Sequence, residues 1–134
     1  MPTGPDALTA DALAFLTERH LGTYTSMRGD GTPHVTAVGF TWDPERGLAR
    51  VITGGGSQKA RNARDGTLAA VCQLDGPRWL TLEGVARATD DPERVAEAVA
   101  RYAGRYRQPR VNPERVAIEI EVTRVLGSRR LFGG

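Results

Sequence analysis

Hydrophobic and polar residues alternate with a period of two along most of the chain, which is the spacing of strands that bury one face. This alternation predicts strands over residues 21–27, 34–40, 48–53, 79–86 and 116–125, and an almost unbroken apolar run predicts a further strand over 68–74. Helices are predicted over residues 11–20, 57–64 and 91–106, the first and last from apolar residues at three-to-four spacing. Five or six antiparallel strands with few helices predict a mainly β fold, a small barrel that is closed or nearly closed.

The pattern also places the side chains of three predicted strands. In the strand at 34–40 successive side chains point to opposite faces. One face therefore carries Val35, Ala37 and Gly39, and the other carries His34, Thr36, Val38 and Phe40. The segment 68–74 is almost continuously apolar, which predicts burial on both faces. The strand at 116–125 alternates strictly, which predicts one solvent-exposed face.

Length and composition predict a single domain over residues 1–134, because 134 residues is the usual size of one domain. Its core has little room for a large cofactor, which favours a site at a subunit interface. The net charge of +2 and the pI near 9.1 suit an anionic small ligand as well as nucleic acid. Aromatic residues make up only 6% and form no stacking series, so no nucleic-acid partner is expected.

Cysteine content and hydropathy bear on the cellular location. Cys72 is the only cysteine, so no intrachain disulfide can form, and a cytoplasmic location is the simplest expectation. We expect no signal peptide, because the N-terminal segment lacks a basic flank followed by an apolar run. No apolar stretch approaches the roughly 18 residues of a membrane span, so no membrane association is expected.

The segment 54–62 combines backbone freedom with positive charge. It begins with three glycines, whose N–H groups can approach an anion closely. Ser57 opens the next helix, and Lys59 is the single lysine among 18 basic residues, which suggests a need for a compact point charge. The segment predicts a phosphate cradle, although its spacing matches neither a P-loop nor a dinucleotide-binding fingerprint. The alternative is a flexible connection with solvated charges.

Other residues supply few groups for chemistry. Trp79 follows a Gly-Pro turn and either presents its ring to a flat ligand or packs in a core or interface. His34 begins a strand, where it contacts a ligand or is an ordinary surface residue. Two distant histidines and one cysteine give no metal-ligand cluster, and no Ser/His/Asp arrangement or acid pair is evident. The chain therefore suits the binding of a flat anionic cofactor that would carry the chemistry.

Three segments together resemble a known family. They are residues 33–40 with 50–53, the glycine run with Ser57-Gln58-Lys59, and residues 78–84. Their order is similar to that of the pyridoxamine-phosphate-oxidase-like split-barrel flavoproteins, which have an FMN-binding-like fold, and most to their actinobacterial deazaflavin-dependent branch. The similarity runs from about residue 8 to residue 126. True pyridoxamine-phosphate oxidases carry a further C-terminal substrate-binding stretch that residues 127–134 are too short to supply, which argues against vitamin B6 chemistry.

The resemblance implies a homodimer of six-stranded antiparallel split barrels with two cofactor sites at the subunit interface. It implies that reduced coenzyme F-420, a deazaflavin, donates a hydride to biliverdin or a similar flat acceptor and gives bilirubin. The strand at 34–39 would lie along the cofactor ring, Lys59 would bind the phosphate, and Arg78 and Trp79 would come from the partner subunit. The implied cofactor-binding residues are His34, Thr36, Ala37, Val38, Thr53, Ser57, Gln58, Lys59, Asn62, Arg78 and Trp79.

The resemblance leaves the catalytic residue unassigned, and an arginine, a water or His34 stays open as the proton donor. Two other functions suit the same residues. A related barrel that binds FMN or haem would act as an oxidase or a carrier, and the absorption spectrum of its cofactor would distinguish it. A protein without cofactor would bind tetrapyrroles or nucleic acid, and binding to nucleic acid would weaken steeply with salt. The fold alone does not decide among them.

Overall fold

The computed structural model describes residues 4–133, so residues 1–3 and 134 of the predicted domain lie outside the described residues. Its α-helices are α1 (Ala10–Phe15), α2 (Gln58–Asn62) and α3 (Pro92–Arg105), and 3-10 helices cover Pro5–Ala7 and Arg129–Phe132. Its strands are β1 (Gly22–Met27), β2 (Pro33–Val38), β3 (Thr41–Asp43), β4 (Leu48–Gly54), β5 (Thr67–Asp75), β6 (Arg78–Thr89) and β7 (Arg115–Gly127). Within residues 4–133, no helix combines the length and apolar character that crossing a bilayer requires.

Local hydrogen bonds set the ends of the helices. The Thr9 hydroxyl accepts from Ala12 N (3.1 Å) at the start of α1, and the Asp91 carboxylate accepts from Arg94 N (3.1 Å) at the start of α3. Pro92 occupies the first turn of α3, where its missing N–H has no intrahelical partner to lose. The predicted helices at 11–20 and 57–64 are shorter in the structure, because their last residues form turns with three-residue spacing.

The strands form one antiparallel sheet in the order β2-β1-β5-β6-β7-β4-β3. Its two edge strands, β2 and β3, are consecutive in the chain, and only Gly39 and Phe40 join them. The sheet must therefore curl until its edges meet, which gives a barrel that is split along one side. The prediction of a mainly β antiparallel barrel is confirmed. The sheet has seven strands instead of six, because the predicted strand at 34–40 ends at Val38 and a separate strand begins at Thr41.

The break in the predicted strand has a physical cause at the C-terminal end of α3. Phe40 N donates to the Tyr106 hydroxyl (3.2 Å), and Phe40 O accepts from Arg105 Nη1 (2.6 Å). The backbone groups of Phe40 are thus satisfied by side chains instead of by a neighbouring strand. The Arg105 guanidinium also donates to Glu18 O (2.9 Å) and stacks on the Phe40 ring, 4.8 Å from its centroid. These contacts fasten the two sheet edges to α3.

The barrel interior is apolar, but one predicted burial pattern is wrong. Fully buried side chains fill the barrel, among them Phe15, Tyr24, Val71, Leu82, Ile118 and Val125. The strand predicted at 68–74 was expected to bury both faces. Instead β5 alternates, and its outward-facing Leu68 and Leu74 are 71% and 57% exposed in the single chain. The prediction of one wet face for the strand at 116–125 is confirmed in the second half of β7, where Glu121 and Thr123 are exposed, whereas Ala117 on the same face is buried.

A buried ion pair fixes α3 to the outside of the barrel. The Asp43 carboxylate, which is fully buried, accepts from Arg50 Nη1 (2.9 Å) and Arg46 Nη1 (3.1 Å) and lies 3.3 Å from Arg101 Nη2 on α3. Burial by itself raises the pKa of Asp43, but the hydrogen bonds from Arg50 and Arg46 outweigh it and lower the pKa to about 2. The pair thereby positions the helix whose last turn reaches the split.

Candidate functional site

A cleft of about 280 Å³ lies at the split of the barrel. One wall comes from the end of β2, and the opposite wall comes from the second half of β4. The last turn of α3 and the loop that follows it complete the surround. The lining residues are Ala37, Val38, Gly39, Ile52, Thr53, Gly54, Lys59, Tyr102, Pro109, Asn112 and Arg115.

Both strands that flank the cleft have one unpaired edge. β2 pairs only with β1, and β3 covers only Leu48, Ala49 and Arg50 of β4. The rest of β4, from Val51 to Gly54, is paired with β7 alone. Backbone N–H and C=O groups therefore face the cleft without a strand partner. Such an edge presents alternating donors and acceptors, which suits a planar heterocycle with polar groups at its rim.

Lys59 enters the cleft from α2. Ser57 caps this helix, because its hydroxyl accepts from Ala60 N (3.2 Å), and Thr53 Oγ1 donates to the same oxygen (2.9 Å). The Lys59 side chain is half-buried and forms no ion pair with the described residues, and burial lowers its pKa. A buried ammonium without a carboxylate is costly. The cleft therefore holds a positive charge whose natural partner is an anionic ligand.

Arg115 and Asn112 complete the polar lining and were not predicted from the sequence. Arg115 begins β7 opposite Gly54, so it adds a second cation to the wall that carries Lys59. The side-chain oxygen of Asn112, Oδ1, accepts from Glu114 N (3.0 Å). The N–H groups on its Nδ2 atom are therefore free for a ligand. None of the described residues that line the cleft is Asp or Glu. The composition of the cleft favours an anion.

An aromatic wall closes the cleft on the side of α3. Tyr102 lies over Gly39, where a Cβ atom would stand 2.9 Å from the Tyr102 ring. The Tyr102 ring forms a tilted stack on Tyr106, with centroids 4.9 Å apart and the ring planes at 35°. The Tyr106 hydroxyl donates to His20 O (2.6 Å), so the stack is anchored to the body of the protein. Glycine at position 39 is thus required for the close approach of the tyrosine ring to the backbone.

Several predicted cofactor residues lie beside the cleft and not on its surface. Gln58 Nε2 donates to Asn62 Oδ1 (2.6 Å), and Asn62 Nδ2 donates to the Ser26 hydroxyl (3.0 Å), so these side chains hold α2 against β1. His34 pairs with Ser26 in the β1–β2 register, and Thr36 lies on the same inward face. Nδ1 of His34 is buried and has no hydrogen-bond partner among the described residues.

The single chain does not bring Arg78 and Trp79 to the cleft. The Arg78 guanidinium donates to both carboxylate oxygens of Glu18 (2.8 and 2.9 Å), contacts Asp75 and stacks on the Phe15 ring at 4.5 Å. These hydrogen bonds, led by that to Glu18, raise the pKa of Arg78. Trp79 faces outward and is 37% exposed. Their assignment to the site of a partner subunit stays a prediction.

The fold also assembles a group that the sequence pattern did not predict. Potential ligand atoms of Glu18, His20 and Asp75 lie within 4.8 Å of one another. His20 Nε2 is 3.0 Å from Glu18 and 3.7 Å from Asp75. Arg78 forms ion pairs with both carboxylates, so a guanidinium already supplies the positive charge at this cluster.

The outward surface of β2, β1, β5 and β6 carries several large exposed apolar side chains among threonines and Glu83, and we call it the outer apolar face. Its large exposed side chains are Val35, Leu68, Leu74, Trp79 and Val85. Ala37 points to the same side of β2 as Val35 and also lines the cleft. The cleft therefore opens beside this face, and a molecule covering the face would border the cleft.

Comparisons with known proteins agree with this architecture. A biliverdin reductase dependent on reduced coenzyme F-420, from Mycobacterium tuberculosis, is 58% identical over 125 residues, 93% of this chain and 91% of that protein. A solved structure named as an F-420 reductase is 27% identical, with a TM-score of 0.68 over 84% of this chain and 94% of that one. A conserved hypothetical protein from Mycobacterium tuberculosis has the same fold, with a TM-score of 0.76 at 24% identity over 96% of this chain and 91% of that chain.

The family comparison covers nearly the same part of the chain. The family described as Pyridoxamine 5'-phosphate oxidase matches residues 8–129, which include every strand of the split barrel and all residues of the cleft. The chain belongs to the pyridoxamine 5'-phosphate oxidase family.

Proposed function

We propose that this protein binds reduced coenzyme F-420 in the cleft and reduces biliverdin, or a similar flat conjugated acceptor, to bilirubin. The observation that carries the proposal is a cleft with two cations, no carboxylate and two unpaired strand edges. The 58% identity to a reductase of this specificity supports the same conclusion. A cytoplasmic location is part of the proposal, because a single free cysteine suits a reducing compartment.

The residues of the cleft fit this cofactor. Coenzyme F-420 carries a phosphate and a carboxylate tail, and Lys59 and Arg115 would hold the phosphate, with the Asn112 amide as a further donor. The free backbone edges at Ala37 and Val38 would hydrogen-bond the rim of the deazaflavin ring. When bound, the reduced cofactor supplies a hydride from its C5 carbon.

The protein itself would contribute positioning and a dry site. Gly39 and Tyr102 form a flat wall against which a ring can lie, and the fixed stack of Tyr102 on Tyr106 limits movement of that wall. Holding two planar molecules face to face replaces a bimolecular encounter by a reaction within one complex. Excluding water from the same space strengthens the electrostatic contacts of Lys59 and Arg115.

The proposed active form is a homodimer that uses the outer apolar face. Five large apolar side chains exposed on one face are typical of a subunit interface. Because Ala37 belongs to both the face and the cleft, a second copy seated there would border the cleft and add residues to it. Trp79, which lies on this face, would then reach the cofactor of the other copy, as the family resemblance implies. Arg78, which the resemblance places there too, points to the other face of β6 and would have to leave its ion pairs with Glu18 and Asp75.

A parallel binding titration tests the choice of cofactor. Purified protein is titrated with oxidised coenzyme F-420 and, separately, with FMN, and the intrinsic tryptophan fluorescence is recorded. We expect saturable quenching by coenzyme F-420 at micromolar concentration or below, and a much weaker response to FMN. Tighter binding of FMN would move the protein to a flavin function, which the phosphate-binding cations also suit. No response to either would leave a binding protein without this cofactor.

Replacing Leu68 with arginine tests the dimer. Leu68 is 71% exposed on the outer apolar face, and burying an added charge at an interface without a partner is unfavourable. We expect Leu68→Arg to be a monomer in sedimentation equilibrium and to lose affinity for coenzyme F-420. Ala96→Arg is the control, because Ala96 is exposed on α3 away from both this face and the cleft. A dimer in both variants, with unchanged affinity, would contradict the proposed interface.

A further inference from the structure

The proposed reduction requires a proton as well as a hydride, and the structure points to its source. We propose that the phenol of Tyr102 donates this proton to the acceptor. The inference rests on the proposed function, because it assigns a second role within the same cleft. The sequence leaves an arginine, a water or His34 open as the donor, and no pattern in it marks Tyr102.

The proton-bearing groups of the cleft differ in their availability. The Thr53 hydroxyl donates to Ser57 (2.9 Å) and is thereby committed. Arg115 is assigned, with Lys59, to the phosphate of the cofactor. Lys59 is the cation that binds the anionic end of the cofactor. The Tyr102 hydroxyl, in contrast, makes no hydrogen bond with any of the described residues, so its O–H is free for a ligand.

The position of His34 argues against it as the donor. Its side chain lies on the inward face of β2, beside Ser26, and it does not line the cleft. Its Nδ1 atom is buried where no acceptor molecule reaches it. Tyr102, in contrast, lines the cleft, and its ring is held between Gly39 and Tyr106. A general acid must be within hydrogen-bond reach of the atom it protonates, and a fixed ring meets that requirement.

In the reduction of biliverdin the hydride and the proton add to different atoms. The central methine carbon gains a hydride, so a C–H bond forms and biliverdin is reduced by two electrons while the cofactor is oxidised. The electron pair of the methine double bond moves to a pyrrole nitrogen, which becomes a strong base. The O–H bond of Tyr102 breaks, an N–H bond forms on that nitrogen, and bilirubin results. Water then returns a proton to the phenolate.

Tyr102→Phe tests the proposal, because it removes the hydroxyl and keeps the ring that forms the wall. We expect the single-turnover rate of biliverdin reduction to fall about 100-fold, the lower end of the effect of a general acid. The dissociation constants of coenzyme F-420 and of biliverdin should change little. Biliverdin is also bound to each protein without cofactor. A hydrogen bond from the phenol should shift the absorption band of biliverdin in the wild type, and Tyr102→Phe should lack this shift.

Two further measurements separate proton donation from a structural role. The rate of Tyr102→Phe should rise with the concentration of an acidic buffer such as imidazolium, which replaces the phenol, whereas the wild-type rate should not. Tyr106→Phe is the matched control: it removes the neighbouring hydroxyl, which bonds to His20 O, and should lower thermal stability without making the rate buffer-dependent. A slow Tyr102→Phe enzyme that no buffer acid rescues would overturn the proposal.

The same experiments distinguish failure of the proposed function from failure of the assignment of Tyr102 as the proton donor. Failure of the wild-type protein to bind coenzyme F-420 or to reduce biliverdin would defeat the proposed function. Wild-type turnover together with an unchanged rate in Tyr102→Phe would defeat only the assignment of the proton donor.

Discussion

Replacing Lys59 with methionine removes a half-buried charge from the cleft and keeps a side chain of similar length. A hydrogen bond to a charged group contributes about 1.5–3 kcal/mol. The loss of one such bond to the phosphate should weaken binding of coenzyme F-420 roughly 10- to 150-fold, at about 1.4 kcal/mol for each factor of ten. Arg115 still lines the cleft in this variant, so binding should be weakened and not abolished.

The same substitution should stabilise the protein without ligand. Burial lowers the pKa of Lys59, which means that the fold disfavours the charged ammonium at every pH below that pKa. Methionine carries no such penalty, so the melting temperature of ligand-free Lys59→Met should exceed that of the wild type at neutral pH. Lower stability would contradict the view that Lys59 is retained for binding and not for folding.

Fluorescence titration measures the affinity, and Arg61→Met is the matched control. Arg61 lies on the same helix, but it is exposed and donates to Gly56 O and to Gln58 Oε1 outside the cleft. Its replacement should change the affinity by no more than roughly twofold, the effect of about 0.5 kcal/mol. Equal affinities of wild type and Lys59→Met would refute the assignment of the cleft as the anion site.

Two other substitutions test the scaffold of the cleft. Gly39→Ala places a Cβ atom 2.9 Å from the Tyr102 ring and should reduce the free energy of unfolding by about 1–3 kcal/mol, as urea denaturation would measure. Asp43→Asn leaves Arg50 buried beside a neutral partner and should cost about 3–5 kcal/mol in the same assay. Because folding lowers the pKa of Asp43 from 3.8 to about 2, wild-type stability should fall as the pH drops from about 4 to 2. Asp43→Asn should lose the share of this dependence that Asp43 contributes and keep the share of Glu18, whose pKa is also lowered to about 2.

The strand pattern predicted most of the fold, and its two failures have different causes. Alternation continues without interruption through Gly39 and Phe40, so nothing local marks the end of β2. The chain turns there because Arg105 and Tyr106, more than sixty positions away, satisfy the backbone of Phe40. The apolar segment at 68–74 was predicted to be buried on both faces, because a run of apolar residues does not tell a covered face from an exposed one. In the proposed dimer a second copy would cover the exposed face.

The sequence predicted only some of the residues of the cleft, because distant parts of the chain form the rest of it. Lys59 stood out because it is the single lysine and follows three glycines. Arg115, Asn112 and Tyr102 carry no spacing signal, since arginine is abundant in this chain and tyrosine at helical spacing is typical of packing. Only the curl of the sheet brings the end of α3 and the start of β7 beside β2. Residue type suggested the charge of the ligand, and topology determined which residues share the site.

The split in the barrel also bears on aggregation. An unpaired strand edge invites the strand of another protein molecule, and most barrels avoid this hazard by closing. Here Gly39 and Phe40 limit the gap between the ends of β2 and β3 to at most about 11 Å, the span of three Cα–Cα steps. The unpaired edges face each other across that gap, with α3 beside it. A planar molecule is thin enough to enter this gap. A pleated strand carries side chains on both faces and is too thick to enter, so the cleft separates molecules by thickness.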